Sequence, residues 1–214
     1  MSSPTKTTTS DVRILLVAAT DGEIAGLRPD LQSSVDVLVT GVGMVATAVR
    51  CARALALTPY DLALNVGICG SFDPALAPGT VVHVVRDHIA ELGAEDDDAF
   101  VTIEAIQLPA EWTFVNPAPP PLDALRALPA VNAITVNTVH GNERSIAAVI
   151  ERFRPEVESM EGAAFMSACL ISNVTFAQVR AVSNVIERRN RGAWRVAEAI
   201  DRLTEATRRI LDQT

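Results

Sequence analysis

At 214 residues the chain is long enough for one substantial core, and its net charge of -8 disfavours a polyanionic partner. Hydrophobic residues make up 49% but aromatics only 4%, no Lys/Arg run is interleaved with aromatics, and the longest apolar runs, such as residues 14–19, fall far short of the roughly 20 residues a membrane-spanning helix requires. A nucleic-acid polymer and a membrane are therefore not expected as partners.

The polar, Ser/Thr-rich opening has no apolar core of the kind a secretory signal needs. Residues 1–10 read as a disordered tail of a cytoplasmic protein, ahead of one catalytic domain over 11–214. Residues 12–19 are a β-branched and apolar run that predicts a buried strand, ending at the turn Thr20-Asp21-Gly22. A second strand is expected over 35–40, then Gly41-Val42-Gly43, then a helix with Val45, Ala48, Val49, Ala52 and Leu55 at helical spacing. The nearly all-apolar stretch 62–68 predicts a third strand, running into glycines at Gly67 and Gly70. Pro78-Gly79 introduces a fourth over 80–85. Consecutive carboxylates in Glu95-Asp96-Asp97-Asp98 point in alternating directions, so the run reads as hydrated rather than as a cation site. Six prolines between 109 and 129 interrupt any regular pattern. That segment is expected to be a surface excursion near the active site. Sheet resumes over 133–139, helices follow over 144–153 and 161–171, and the last strand lies over 175–182. A closing amphipathic helix places Ala197, Ile200, Leu203, Ala206 and Ile210 on one face. Strands alternating with helices predict an α/β fold: a single-domain, three-layer α/β/α sandwich around a mixed, mostly parallel sheet. Ligands of such sheets bind beyond the carboxyl ends of the strands, where the glycine turns fall. Cys51, Cys69 and Cys169 form no CxxC pair and no even set, so they are expected as buried reduced thiols.

Gly41-Val42-Gly43-Met44-Val45-Ala46 has the GxGxxA form of a dinucleotide fingerprint. The fingerprint also needs an acid at the end of the next strand, whereas Asp61 precedes 62–68 and so sits at the wrong end. The turn is read instead as the lining of a nucleoside pocket.

Several segments carry a resemblance: 18–23 (AATDGE), Gly41-Val42-Gly43, 65–70 (NVGICG), 158–163 (ESMEGA) and 179–184 (VRAVSN). Their order and spacing over about 12–212 resemble the nucleoside phosphorylase/nucleosidase superfamily. With 187–195 (ERRNRGAWR), they are most similar to the futalosine hydrolase family. The resemblance implies cleavage of a purine N-ribosidic bond, no metal or organic cofactor, and a homodimer or higher homo-oligomer. By similarity to methylthioadenosine nucleosidases, Glu23 is expected to orient and deprotonate water, Glu161 to accept from the ribose hydroxyls, and Met160 to pack on the sugar. A carboxylate suits the ribose role because it only accepts. Cys69, Gly70 and Asn184 are expected at the base. Where adenine-specific relatives have Asp, Asn184 can donate to a 6-oxo group and accept from a protonated N7, which implies hypoxanthine as the leaving base. The phosphorylases' phosphate-binding Arg and Ser/Thr are replaced by Asn65 and Ile68, which implies water as the nucleophile. Arg189, Arg191 and Trp194 are candidates for a carboxylated aromatic 5' substituent, the other reading of the arginines being surface pairs with Glu187 or Glu198. His88 and His140 receive no catalytic role. Two other readings are a nucleosidase acting on methylthioadenosine/S-adenosylhomocysteine or aminodeoxyfutalosine, and a non-catalytic nucleoside-binding or storage protein of the same fold.

Overall fold

The first apolar run forms β1 (Ile14–Ala18), buried along its whole length because it lies inside the sheet between two parallel neighbours. The computed structural model describes residues 12–97 and 99–214; the expected tail 1–10 lies outside them. After a single-turn helix α1 (Asp21–Ile24), β2 (Val35–Val39) pairs parallel with one side of β1, and β3 (Leu62–Ser71) pairs with the other. Helix α2 (Met44–Leu57) joins β2 to β3. Beyond these come β4 (Val81–Ile89), the hairpin β5 (Gly93–Asp96) and β6 (Ala99–Thr102), β7 (Thr113–Val115), α3 (Asp123–Arg126) and β8 (Ala130–Thr135). The chain closes with α4 (Glu143–Phe153), β9 (Val157–Ser159), α5 (Gly162–Ser172), β10 (Phe176–Val185) and α6 (Val196–Leu211).

The main sheet is mixed, with five parallel pairings and three antiparallel ones. Its centre is a closed circuit in which β3 pairs with β10, β10 with β4, β4 with β8, β8 with β9, and β9 with β3 again. Strand β3 makes this possible by changing neighbours along its length. Its first half, to Asn65, lies against β1, and its end, Gly70 and Ser71, lies against β9. On that side, among the described residues, Gly67 to Cys69 have no strand partner, and the cavity described below opens there.

Helices cover both faces. Leu27, Leu203, Ala199 and Ile210 pack with Leu16, Leu64, Val66 and Val179 on one face, and Cys51, Leu55, Phe165 and Met166 pack with Leu15, Val17, Ala63 and Phe176 on the other. All three cysteines are buried free thiols.

Several expectations are corrected. The proline-rich segment 109–129 does not border the cavity. It supplies edge strand β7 and the short α3, and it buries Phe114, Asn116 and Leu125. The Asn116 side chain donates to the Phe176 carbonyl, a tie between distant segments that composition does not reveal. Strand β8 begins and ends earlier than 133–139: it pairs with β4 from Ala130, and the Val136 N–H makes the last hydrogen bond to β9, at the Ser159 carbonyl. Strand β4 runs four residues past Val85, its pairing sustained by β7 and β8. In α6, Ala197 is exposed and Ala199, Leu203, Thr204, Thr207 and Ile210 are buried, so the inward face is rotated from the expected one. The acidic residues Glu95, Asp96 and Asp97 stand exposed at the tip of the β5–β6 hairpin; Asp98 lies outside the described residues.

Candidate active site

Seven chain segments surround one cavity of about 330 Å³, lined by Thr20 and Glu23, Val42, Ile68 to Gly70, Val139, Glu158 to Glu161, Ser183 and Asn184, with Trp194, Val196 and Ile200. It lies beyond the carboxyl ends of β1, β3 and β10, where the loops of a parallel sheet diverge. Of the sequence-predicted residues, Glu23, Met160, Glu161, Cys69, Gly70, Asn184 and Trp194 come together here. Arg189 and Arg191 do not line the cavity. They are exposed and lie over Trp194, with guanidinium carbons 5.9 and 6.0 Å from its ring centre. Among the described residues neither forms an ion pair with a carboxylate, so pairing with Glu187 or Glu198 is not their role in this structure.

Glu23 sits on the single turn α1, which is too short to be stable alone. Its carboxylate closes a capping box, Oε2 accepting from the Thr20 N–H at 2.9 Å and from the Thr20 hydroxyl at 3.1 Å. Oε1 accepts from the Ile68 N–H at 3.1 Å, in the stretch of β3 between its pairings with β1 and β9. Helix capping and the cavity wall thus share one side chain.

Glu161 occupies the N-cap of α5, yet its side chain makes no cap. It turns instead to accept from the Gly43 N–H at 3.0 Å. Gly43 has φ of +103°, which side-chain-bearing residues rarely adopt, so the glycine turn serves to aim a backbone donor at this carboxylate. Burial pushes the Glu161 carboxyl above its ordinary range, the Arg180 charge and the Gly43 N–H pull it down, and Glu23 raises it further. Asp61, which precedes β3 at the end opposite the cavity, accepts from the Arg13 N–H.

Asn184 follows an irregularity in the β10 pairing between Val182 and Asn184, and the bulge re-aims its amide. Its Oδ1 accepts from the Ser183 hydroxyl at 2.9 Å, while that hydroxyl also reaches the Cys69 carbonyl at 3.1 Å. Its Nδ2 donates to the Val185 carbonyl. Cys69 is a poor nucleophile, its thiol pushed up to about 12 by burial.

Sequence reasoning assigned no role to Arg180, the largest fully buried side chain. Its guanidinium donates to Gln178 Oε1 at 3.1 Å and to Asn65 Oδ1. Gln178 Nε2 donates to Asp87, which also accepts from Thr135, and Thr135 accepts from the Ala163 N–H. Arg180 also presses on Gly67, where an added Cβ would overlap its Nη1 and stand 2.8 Å from Glu23 Oε1. One buried cation thus underlies the two carboxylates from the sheet side. An arginine inside a mostly apolar strand, 175–182, was the available signal. Asn65, at the position compared with the phosphate-binding arginine, is consumed by Arg180 and by the Val17 carbonyl and does not face the cavity. His88 lies elsewhere, stacked on Phe153 and bonded to Thr113.

A doubly covered mixed sheet with a carboxylate-lined cavity at its strand ends defines a small-molecule site of the α/β class. The family model described as the phosphorylase superfamily matches residues 31–213. The futalosine hydrolase of Streptomyces coelicolor is 34% identical over 180 residues, covering 80% of this chain and 76% of that protein. The futalosine hydrolase of Thermus thermophilus is 33% identical over 180 residues, covering 81% and 80%. The fold matches that of a 5'-methylthioadenosine/S-adenosylhomocysteine nucleosidase from Colwellia psychrerythraea solved with adenine, with a TM-score of 0.79, 20% identity, and coverage of 95% of this chain and 96% of the other. The chain belongs to the phosphorylase superfamily and, within it, to the futalosine hydrolase family.

Proposed function

We propose that residues 11–214 form one catalytic domain that hydrolyses the N-ribosidic bond of futalosine, releasing hypoxanthine and dehypoxanthine futalosine in menaquinone biosynthesis. The observation that carries this reading is the gathering of Glu23, Glu161 and Asn184 around one cavity. Bond cleavage builds positive charge on the sugar and negative charge on the departing base. Glu23, held by three donors, is placed to take a proton from water as it attacks the anomeric carbon. Glu161 accepts from the ribose hydroxyls with Met160 against the sugar. Asn184 donates to O6 and accepts from N7–H as hypoxanthine leaves, with Cys69 and Gly70 forming the adjoining wall. Trp194 provides a flat surface for an aromatic 5' substituent, and Arg189 and Arg191 flank it as cations for a carboxylate. The chemistry needs no metal or organic cofactor.

No helix among the described residues is long and apolar enough to cross a membrane, and we propose a cytoplasmic enzyme. We also propose that it works as a homodimer or higher oligomer. Val42, Val45 and Val49 expose 56, 77 and 63% of their surface along the start of α2, and Val42 also lines the cavity, so a second copy seated there would extend the cavity wall.

The direct test is chromatographic detection of hypoxanthine from futalosine. Asn184→Asp is expected to lower that rate and raise adenine release from the 6-amino analogue. Adenine release by the unaltered protein with no hypoxanthine release would overturn the substrate assignment. The pH profile provides a further check. Protonated Glu161 can no longer accept from both ribose hydroxyls, so kcat/KM should fall as pH drops through a carboxyl value displaced upward from the usual glutamate range. A profile flat down through the usual glutamate range would contradict the ribose role.

A further inference from the structure

Charge at the mouth of the cavity runs against the average of the chain. The molecule carries -8. Yet the two loops that meet at the mouth, 141–144 and 187–195, hold five arginines (Arg144, Arg188, Arg189, Arg191 and Arg195) against two glutamates. All five are exposed, and among the described residues none forms an ion pair with a carboxylate. Glu187 meets the Asn190 amide at 3.3 Å and Glu198 lies against Gly79, so neither neutralises an arginine by contact. The two loops are joined, the Arg189 N–H donating to the Gly141 carbonyl at 3.1 Å. Val139 and Trp194, next to that join, line the cavity, whereas Arg144 and Arg188 line a neighbouring cleft of about 530 Å³.

The interior has the opposite character. Glu23, Glu158 and Glu161 all line the cavity, and Arg180 offsets part of their charge from beneath. Glu158, only 4% exposed, is held by His140, whose N–H donates to Oε1 at 2.9 Å and whose ring Nδ1 meets Oε2. A ligand carboxylate is thus repelled from the floor and drawn to the rim, and a cleft focuses such a field. Resting on the reading of the cavity as a nucleoside site, we propose that the arginine rim captures nucleosides whose 5' group is anionic and orients them base first. Arg144 and Arg188, which have no part in the scheme above, are then specificity determinants that act through the field and not by contact with the reacting atoms. The cavity, about 330 Å³, is at the small end of ligand pockets, which run from roughly 300 to 1,000 Å³. A bulky 5' group therefore extends to the rim, where Arg189 and Arg191 lie over Trp194. A neutral nucleoside of the same size feels no such pull. Selection of this kind weakens with salt, because the screening length falls from about 30 Å at 0.01 M to about 3 Å at 1 M.

A matched pair of 6-oxopurine nucleosides, one with a 5' aryl carboxylate and the other its methyl ester, tests this. On the unaltered protein, kcat/KM for the acid should exceed that for the ester by about tenfold at roughly 0.01 M salt, the low end of what a charged cleft supplies. The two should converge to within about threefold at roughly 1 M, the ester reporting every effect of salt other than that on the ligand charge. Arg144→Gln combined with Arg188→Gln, both at exposed positions, should lower the acid-to-ester ratio about three- to tenfold at low salt and flatten its salt slope. A merely structural role would change the rates on both substrates alike. Parallel salt slopes for acid and ester, or a ratio within about twofold of the unaltered protein's in the folded double variant, overturns the proposal. If neither compound is turned over, the hydrolytic reading fails, and calorimetric Kd values for the same pair still give the two salt slopes. Failure of the rim and failure of the hydrolysis are therefore distinct.

Discussion

Glu23→Gln is expected to abolish most hydrolysis while leaving substrate binding nearly intact, a loss of about 10²- to 10⁴-fold in kcat, which is the usual contribution of a positioned general base. The amide has one acceptor oxygen where the acid has two, and those two now serve the Thr20 N–H, the Thr20 hydroxyl and the Ile68 N–H. One side of the contact is therefore left facing an NH₂ group, at a stability cost of about 1–3 kcal/mol. The thermal midpoint must be measured beside the rate, and single-turnover assays run well below it, so that a loss of chemistry is separated from a loss of fold. Turnover equal to the unaltered protein's, in a folded variant, would remove Glu23 from the water-activating role.

Gly162→Ala should produce the largest structural effect of any single methyl addition near the site. In an ordinary helix this exchange is favourable by about 1 kcal/mol. Here a Cβ would overlap both Asp87 Oδ2 and Gln178 Oε1, each on a fully buried residue. Neither can step aside freely. Asp87 is held by Thr135 and Gln178, and Gln178 by Arg180. Overpacking of this kind costs about 1–3 kcal/mol, or a fall in Tm of roughly 2–10 °C for a chain of this size. Moving Gln178 also moves Arg180, so the expected signature is a lower Tm together with a kcat loss greater than the loss of folded protein explains. An unchanged midpoint by circular dichroism would mean that the Asp87–Gln178–Arg180 arrangement is soft, and that its part in setting the site is small.

Much of this site was readable from residue order because its parts are local. Thr20 and Glu23 form a capping box within one turn, Gly41-Val42-Gly43 announces a positive-φ turn between strand and helix, and Asn184 comes next to last in strand β10. The alternation of apolar runs with glycine turns led to a mostly parallel sheet with its ligand at the strand ends, and the cavity is there. Arg189 and Arg191 mark where such reading stops. The family resemblance made them candidates for the 5' side, but it could not distinguish a residue lining the cavity from one packed on Trp194 away from the lining.

Residue order alone thus determined the sequence of the main strands and helices and the places where the backbone must turn through glycine, while the resemblance to a family singled out the two carboxylates and the amide that fold around one cavity. The tertiary structure decided the rest: that β9, only three residues long and too short for any periodicity, closes the ring of strands and carries Glu158 inward. It likewise decided that the Gly43 N–H meets Glu161 across 118 residues and that Arg180 meets Asn65 across 115. The physical reason is that a buried charge is stable only beside partners that folding brings to it, and those partners have no fixed distance along the chain.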